Sequence, residues 1–90
     1  MKTSATVEIV NERGLHARAS AKFVKLAGTF QSNVTVTRDD QTVDALSIMG
    51  LMMLAAGPGS TVEIAADGVD APAAVAALAG LVESRFEEDR

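Results

Sequence analysis

One side chain in this sequence is placed to do chemistry: His16, the single histidine among 90 residues. It sits in Gly14-Leu15-His16-Ala17-Arg18-Ala19-Ser20, between a glycine-containing loop and the start of a helix predicted from about Ala17 to Thr29. The first amides of a helix lack intrahelical acceptors and carry roughly half a positive charge, so they receive anions readily. That positive end, with Arg18 two residues on, favours the neutral imidazole, whose free lone pair is a nucleophile. A phosphoryl group added to the ring would lie over the backbone amides of Ala17 and Arg18, with the Arg18 guanidinium available to its oxygens. Gly14 gives the loop freedom to bend and swing the ring outward. The plainer alternative is an exposed capping histidine that does nothing.

Two further features surround this nucleophile. Arg18, Lys22 and Lys25, at i, i+4 and i+7, form a basic stripe beside the apolar face of the same helix. Such a stripe is often only a solvated surface; directly downstream of the histidine it reads as a landing strip for acidic partners. Ser47 precedes the apolar run Ile48-Met49-Gly50-Leu51-Met52-Met53-Leu54 and is placed to cap a short helix. A helix so short cannot bury all of these side chains on one face. Ile48, Met49, Leu51 and Met52 are therefore read as a docking patch, since flexible methionines suit a surface that meets several partners. The competing reading sinks this helix in the core.

The elements that must position these groups follow from periodicity. Ala5, Val7 and Ile9 alternate with polar residues, predicting a half-buried strand over about Thr3 to Val10. Ala19, Phe23, Leu26, Ala27 and Phe30 make one face of the first helix. Val34-Val36 and Thr42-Val43, separated by Arg38-Asp39-Asp40-Gln41, predict a hairpin. The Ser47 helix ends at Gly57-Pro58-Gly59, and Val62 and Ile64 mark a fourth strand. Asp70-Ala71-Pro72 reads as an N-cap with proline in the first turn. Val75, Leu78, Val82 and Arg85-Phe86 carry a last helix, and Glu87 to Arg90 is expected to fray. The order β-α-β-β-α-β-α predicts an α+β open-faced sandwich over residues 1–90, a single domain with a four-stranded antiparallel sheet and three helices on one face.

Composition narrows the functions. The net charge is −4, and three Phe with no Tyr or Trp leave few stacking platforms, so nucleic acid is not an expected partner. The absence of cysteine excludes disulfides, thiolate metal sites and thiol catalysis; no metal and no cofactor are expected. The longest apolar stretch, Ile48 to Ala56, is far shorter than the ~20 residues that cross a bilayer, and no signal-peptide pattern opens the chain. A cytoplasmic, monomeric protein is expected. Residues 1–30 hold five basic and two acidic side chains, whereas residues 31–90 hold three basic and ten acidic. A basic third on an acidic body can orient a charged partner, although chance scatter would look the same.

Gly14-Leu15-His16-Ala17-Arg18 resembles the active-site motif of the HPr family, the histidine phosphocarriers of the bacterial phosphoenolpyruvate-dependent phosphotransferase system. Ser47-Ile48-Met49-Gly50-Leu51 resembles that family's regulatory serine segment, and length, element order and motif spacing match along nearly the whole chain. The resemblance implies that Enzyme I, charged by phosphoenolpyruvate, passes a phosphoryl group to His16, which delivers it to a histidine of an EIIA-type acceptor. Arg18 would stabilise the moving charge. Ser47 would be the target of a kinase/phosphorylase that weakens transfer. Ala19 stands where the family usually has proline, and Arg13 where many relatives have a small polar residue. The segment Gly50 to Ala56 and the acidic tail look closer to the nitrogen-regulatory branch than to the sugar-transport form. Two other functions compete: a purely regulatory HPr-like binder, which would need only the serine surface, and an acylphosphatase-like hydrolase. The hydrolase would need Asn11 to place water and Arg13 to cradle an anion.

Overall fold

The computed structural model describes residues 1–90. The elements are β1 (Lys2–Glu8), α1 (Ala17–Ala27), β2 (Asn33–Arg38), β3 (Gln41–Asp44), α2 (Ile48–Met53), β4 (Thr61–Asp67) and α3 (Ala71–Glu83), followed by a short turn at Arg85–Glu87. The strands form one sheet in the order β1-β4-β2-β3, and each adjacent pair is antiparallel. Register follows the two-residue alternation of the sequence. Val7 lies opposite Val62 and Val36 opposite both Ile64 and Val43, so apolar side chains gather on one face. Ser4, Thr6 and Glu63 point to the open face. This is the open-faced α+β architecture the periodicity predicts.

The helices cover the apolar face because each presents a matching stripe. In α1 this is Ala19, Phe23 and Ala27, with Leu26 and Phe30 packed at its margin. In α3 it is Ala71, Ala74, Val75, Leu78 and Val82. The small Ala positions let α3 lie close against β1 and β4.

Element ends depart from expectation where turns and contacts outside the periodic pattern intervene. β1 stops at Glu8; Ile9 stays buried but bonds Ser60 and Gly59 of a loop, with its amide to the Ser60 carbonyl at 2.8 Å and its carbonyl to the Gly59 amide at 2.8 Å. α1 ends at Ala27 because Gly28, Thr29 and Phe30 close short turns onto Val24, Leu26 and Ala27. α2 ends at Met53, well before Gly57, and Ala55 then takes a left-handed φ of 53°. Asp70 does not cap α3 with its side chain. Its carboxylate instead accepts from the Gln31 amide, the Ser32 amide and the Ser32 hydroxyl, tying the start of α3 to the approach to β2. The hydroxyl and amide bonds outweigh what little burial contributes and hold Asp70 below its ordinary 3.8.

The largest correction concerns the last seven residues. Arg85 and Phe86 do not extend α3: Arg85, Phe86 and Glu87 all adopt positive φ, of 61°, 53° and 63°. Non-glycine residues rarely sit there in succession, because each costs roughly 1 kcal/mol or more. What offsets this is Phe86, which is fully buried, and the Lys22 ammonium, which donates to the Phe86 carbonyl at 2.8 Å. The tail does not fray. It reverses direction and runs back toward the β1–α1 loop.

Candidate functional site

The loop between β1 and α1 is shaped by Asn11 and Gly14. The Asn11 carbonyl accepts the Gly14 amide at 3.2 Å, and the Asn11 side-chain amide donates to the Gly14 carbonyl at 2.9 Å. Gly14 takes a φ of +64°, and a Cβ there would run into the Ala56 carbonyl and lie 2.9 Å from the Gly57 Cα. Its role is therefore not the hinge expected from the sequence: it lets the loop lie flat on residues 56–57. The neighbouring Leu15 amide donates to the Ala56 carbonyl at 3.0 Å, tying the histidine loop to the segment that follows α2.

His16 is the N-cap of α1. Its backbone is extended, its carbonyl accepts the Ser20 amide at 2.9 Å, and its Nδ1 faces the Arg18 amide at 3.3 Å. The opposite ring nitrogen, Nε2, lies 2.6 Å from the Glu88 Oε2. Glu88 is itself held by Asn11, whose side-chain amide donates to Oε1 at 3.1 Å. Burial pushes the Glu88 carboxyl up, but hydrogen bonds from Asn11 and His16, helped by the nearby Lys22 ammonium, outweigh it and hold the group below its ordinary 4.5. An ionised carboxylate only accepts and a backbone amide only donates. Both neighbours therefore select one tautomer: the proton on Nε2 and the lone pair on Nδ1.

The ring opens into a cleft of about 400 Å³ walled entirely by polar residues. Arg13, Arg18 and Arg90 bring positive charge to it, and Glu12, Glu88 and Asp89 negative charge. Arg90 lies 3.8 Å from Glu12, whereas the exposed Arg18 guanidinium has no ion pair in the molecule and is free to meet an anion. A depression of similar size on the open sheet face, about 420 Å³, offers neither imidazole nor arginine.

Glu88 is invisible as a site residue in the sequence, where Asn11 enters only as the water-placing residue of the hydrolase reading. They lie 77 positions apart, and the signal that joins them is the buried Phe86, an apolar residue too close to the predicted end of α3 to be read as a separate anchor. Asn11 is fully buried with its Oδ1 unpartnered, and both of its amide hydrogens are committed to Gly14 and Glu88. Its one free atom, Oδ1, is sealed from solvent and cannot place a hydrolytic water, which removes the acylphosphatase-like arrangement.

The expected docking residues divide. Ser47 caps α2, its hydroxyl accepting the Gly50 amide at 2.9 Å. Ile48, Met49 and Met52 are exposed, with Met49 at 69%. Leu51 is not part of that surface: it is completely buried, because position i+4 from Ser47 turns inward against α1 and β3. Met53, 69% exposed, takes its place outside, and Leu46 adds to the patch at 59%. Lys25 is exposed as the stripe requires. Lys22 is drawn onto the Phe86 carbonyl, so its charge serves the tail as well as the surface.

The structure thus sets a histidine cap and an unpaired arginine side by side at the start of α1 in a small open-faced α+β fold. A family model described as the PTS HPr component phosphorylation site matches residues 3–84. The phosphocarrier protein HPr of Cupriavidus necator is 56% identical over 80 residues, covering 89% of this chain and 90% of that one. The phosphocarrier protein NPr of Shewanella violacea is 39% identical over 87 residues, covering 97% and 96%. The crystal structure of HPr from Thermoanaerobacter tengcongensis superposes with a TM-score of 0.93 at 43% identity, over 98% of this chain and 99% of that one. An HPr dimer of the same organism is similar at a TM-score of 0.77. This chain belongs to the HPr family of phosphotransferase-system phosphocarriers. It has no helix long and apolar enough to cross a membrane.

Proposed function

We propose that this protein is a cytoplasmic, monomeric histidine phosphocarrier that receives a phosphoryl group on His16 from a phosphorylated Enzyme I and passes it to a histidine of an EIIA-type acceptor. The observation that carries this is the placement of His16 as the cap of α1, with Nδ1 on the amide side of the ring and Nε2 occupied by Glu88. Nδ1 is the attacking atom. As its lone pair closes on phosphorus, the Arg18 amide that faced it is released to a phosphoryl oxygen, and the Arg18 guanidinium swings over the others. The exposed patch of Ile48, Met49, Met52 and Met53, joined to the histidine loop through the Leu15–Ala56 hydrogen bond, receives the partner. Phosphorylation of Ser47 by a kinase/phosphorylase would place roughly two negative charges inside that patch and weaken the encounter.

The test is to mix the protein with Enzyme I and labelled phosphoenolpyruvate. Label that is acid-labile and base-stable is expected on wild type and absent from His16→Ala, whose fold should persist because the ring is part-exposed and outside the core. Full labelling of His16→Ala would overturn the assignment.

A further inference from the structure

Glu88 lies outside both sequence motifs, on a segment that reaches the histidine only because the chain reverses at Arg85–Glu87. Its carboxylate nevertheless makes the shortest contact His16 has, 2.6 Å to Nε2, with the histidine side chain 23% and the glutamate 14% exposed. The other carboxylate oxygen is fixed by a fully buried asparagine whose second amide hydrogen anchors the Gly14 carbonyl. A chance ion pair of solvated side chains would show neither the burial nor the second support. The arrangement is Asn11 orienting Glu88, Glu88 orienting His16, and a helix amide facing the remaining ring nitrogen.

We propose that Glu88, held by Asn11, is a positioning residue that keeps the proton of His16 on Nε2 and so directs phosphorylation to Nδ1. The inference rests on His16 being the phosphoryl acceptor. During transfer the Nδ1 lone pair forms the new N–P bond while the donor's bond to phosphorus breaks, its electron pair leaving with the donor atom. The Nε2 proton stays in place. The ring thereby becomes a cation, and the Glu88 carboxylate already lies against its protonated edge, so the charge created by the reaction meets an opposite charge that needs no rearrangement. On delivery the N–P electron pair returns to Nδ1 and the neutral tautomer is restored. No proton enters or leaves the pair in either direction.

Glu88 acts through the ring and touches no phosphoryl oxygen. Its removal should therefore change which nitrogen reacts, an outcome that general loss of structure would not produce. Three forms are compared: wild type, Glu88→Ala and Glu88→Gln, the last retaining an acceptor oxygen without the charge. Nitrogen-15 NMR of the unphosphorylated proteins reads the tautomer directly, with no partner protein involved. The chemical donor phosphoramidate, which releases ammonia as its P–N bond breaks, then phosphorylates the histidine in the absence of Enzyme I, and NMR identifies the modified nitrogen. Wild type is expected as the Nε2–H tautomer, giving product on Nδ1. Glu88→Ala is expected to show both tautomers and product on both nitrogens, with Nδ1 phosphorylation slowed ~10-fold or more, the scale of losing a charge-assisted hydrogen bond. Glu88→Gln should keep Nδ1 as the site but react more slowly than wild type. Asn11→Ala, which frees the carboxylate, should fall between wild type and Glu88→Ala. If Glu88→Ala keeps the wild-type tautomer and gives Nδ1 product alone, the proposal is overturned, whatever Enzyme I does; if wild type is labelled by phosphoramidate yet refused by Enzyme I, it is the carrier assignment that fails.

Discussion

Arg18 stands two residues past the histidine, exposed and without an ion pair in the molecule, and its proposed service is to a visiting anion alone. Replacing it isolates that service. Arg18→Ala is expected to slow phosphoryl transfer roughly 10- to 100-fold, toward the cost of losing one donor to developing charge, while the melting temperature stays within error. Rapid-quench measurement of labelled transfer checks the first, and a thermal melt the second; an unchanged rate would mean that the helix amide suffices. Ser47 poses the opposite problem, since its hydroxyl already has a structural task. Aspartate can take over that capping role, so Ser47→Asp should fold as wild type does. The added charge beside Met49 and Met52 should nonetheless weaken Enzyme I binding by ~1–3 kcal/mol, about ten- to a hundred-fold, as calorimetry would show. Equal affinities at equal melting temperatures would make Ser47 a cap and nothing more.

At the scale of elements, the turns decide how well the site is built. Gly14→Ala would force a Cβ into the Ala56 carbonyl in a left-handed backbone, and an expected loss of ~1–3 kcal/mol in a urea titration should accompany slower transfer. The Asp70 clamp between α3 and the approach to β2 makes a prediction about acid. Its carboxyl is held below the ordinary value in the folded state, so its contribution is complete above about pH 4 and is lost as pH falls through the lower folded value. The stability gap between wild type and Asp70→Asn should therefore be largest near neutrality and shrink in urea titrations carried toward pH 3. These turns also mark where the sequence stopped being legible. Four strands and three helices could be read because each buries one face and repeats accordingly, as Val34-Val36 and Ala19-Phe23-Ala27 do. The capping positions of His16 and Ser47 could be read because caps are local in sequence. The inward turn of Leu51 could not, since a six-residue helix gives too few repeats to fix a face. Nor could the left-handed run at Arg85–Glu87, which exists only because a pocket for Phe86 is waiting elsewhere in the fold. Asp70 misled for a related reason: a residue with capping chemistry had stronger donors at Gln31 and Ser32, nearly 40 positions away.

For the molecule as a whole, the uneven charge of the sequence becomes a directional surface, because exposed Arg13, Arg18 and Lys25 all belong to the histidine loop or α1. Association with an acidic partner should accelerate at low ionic strength and slow as salt rises, with the dissociation rate much less affected, as stopped-flow mixing would measure. The tail that folds back onto His16 carries a consequence for the time course of folding. The His16–Glu88 contact closes a separation of 72 residues, and Asn11–Glu88 one of 77, among the longest closures the chain can make. Such contacts repay their closure entropy only after the sheet and helices have drawn the two segments together. The geometry around His16 should accordingly be among the last features to form during refolding and among the first to be released. Glu88→Gln should speed unfolding while leaving the refolding rate in place, the behaviour of a contact absent from the transition state. The Glu12 amide, bonded to the Arg90 carbonyl, should likewise exchange its hydrogen faster than the amides of β4 in the same native protein.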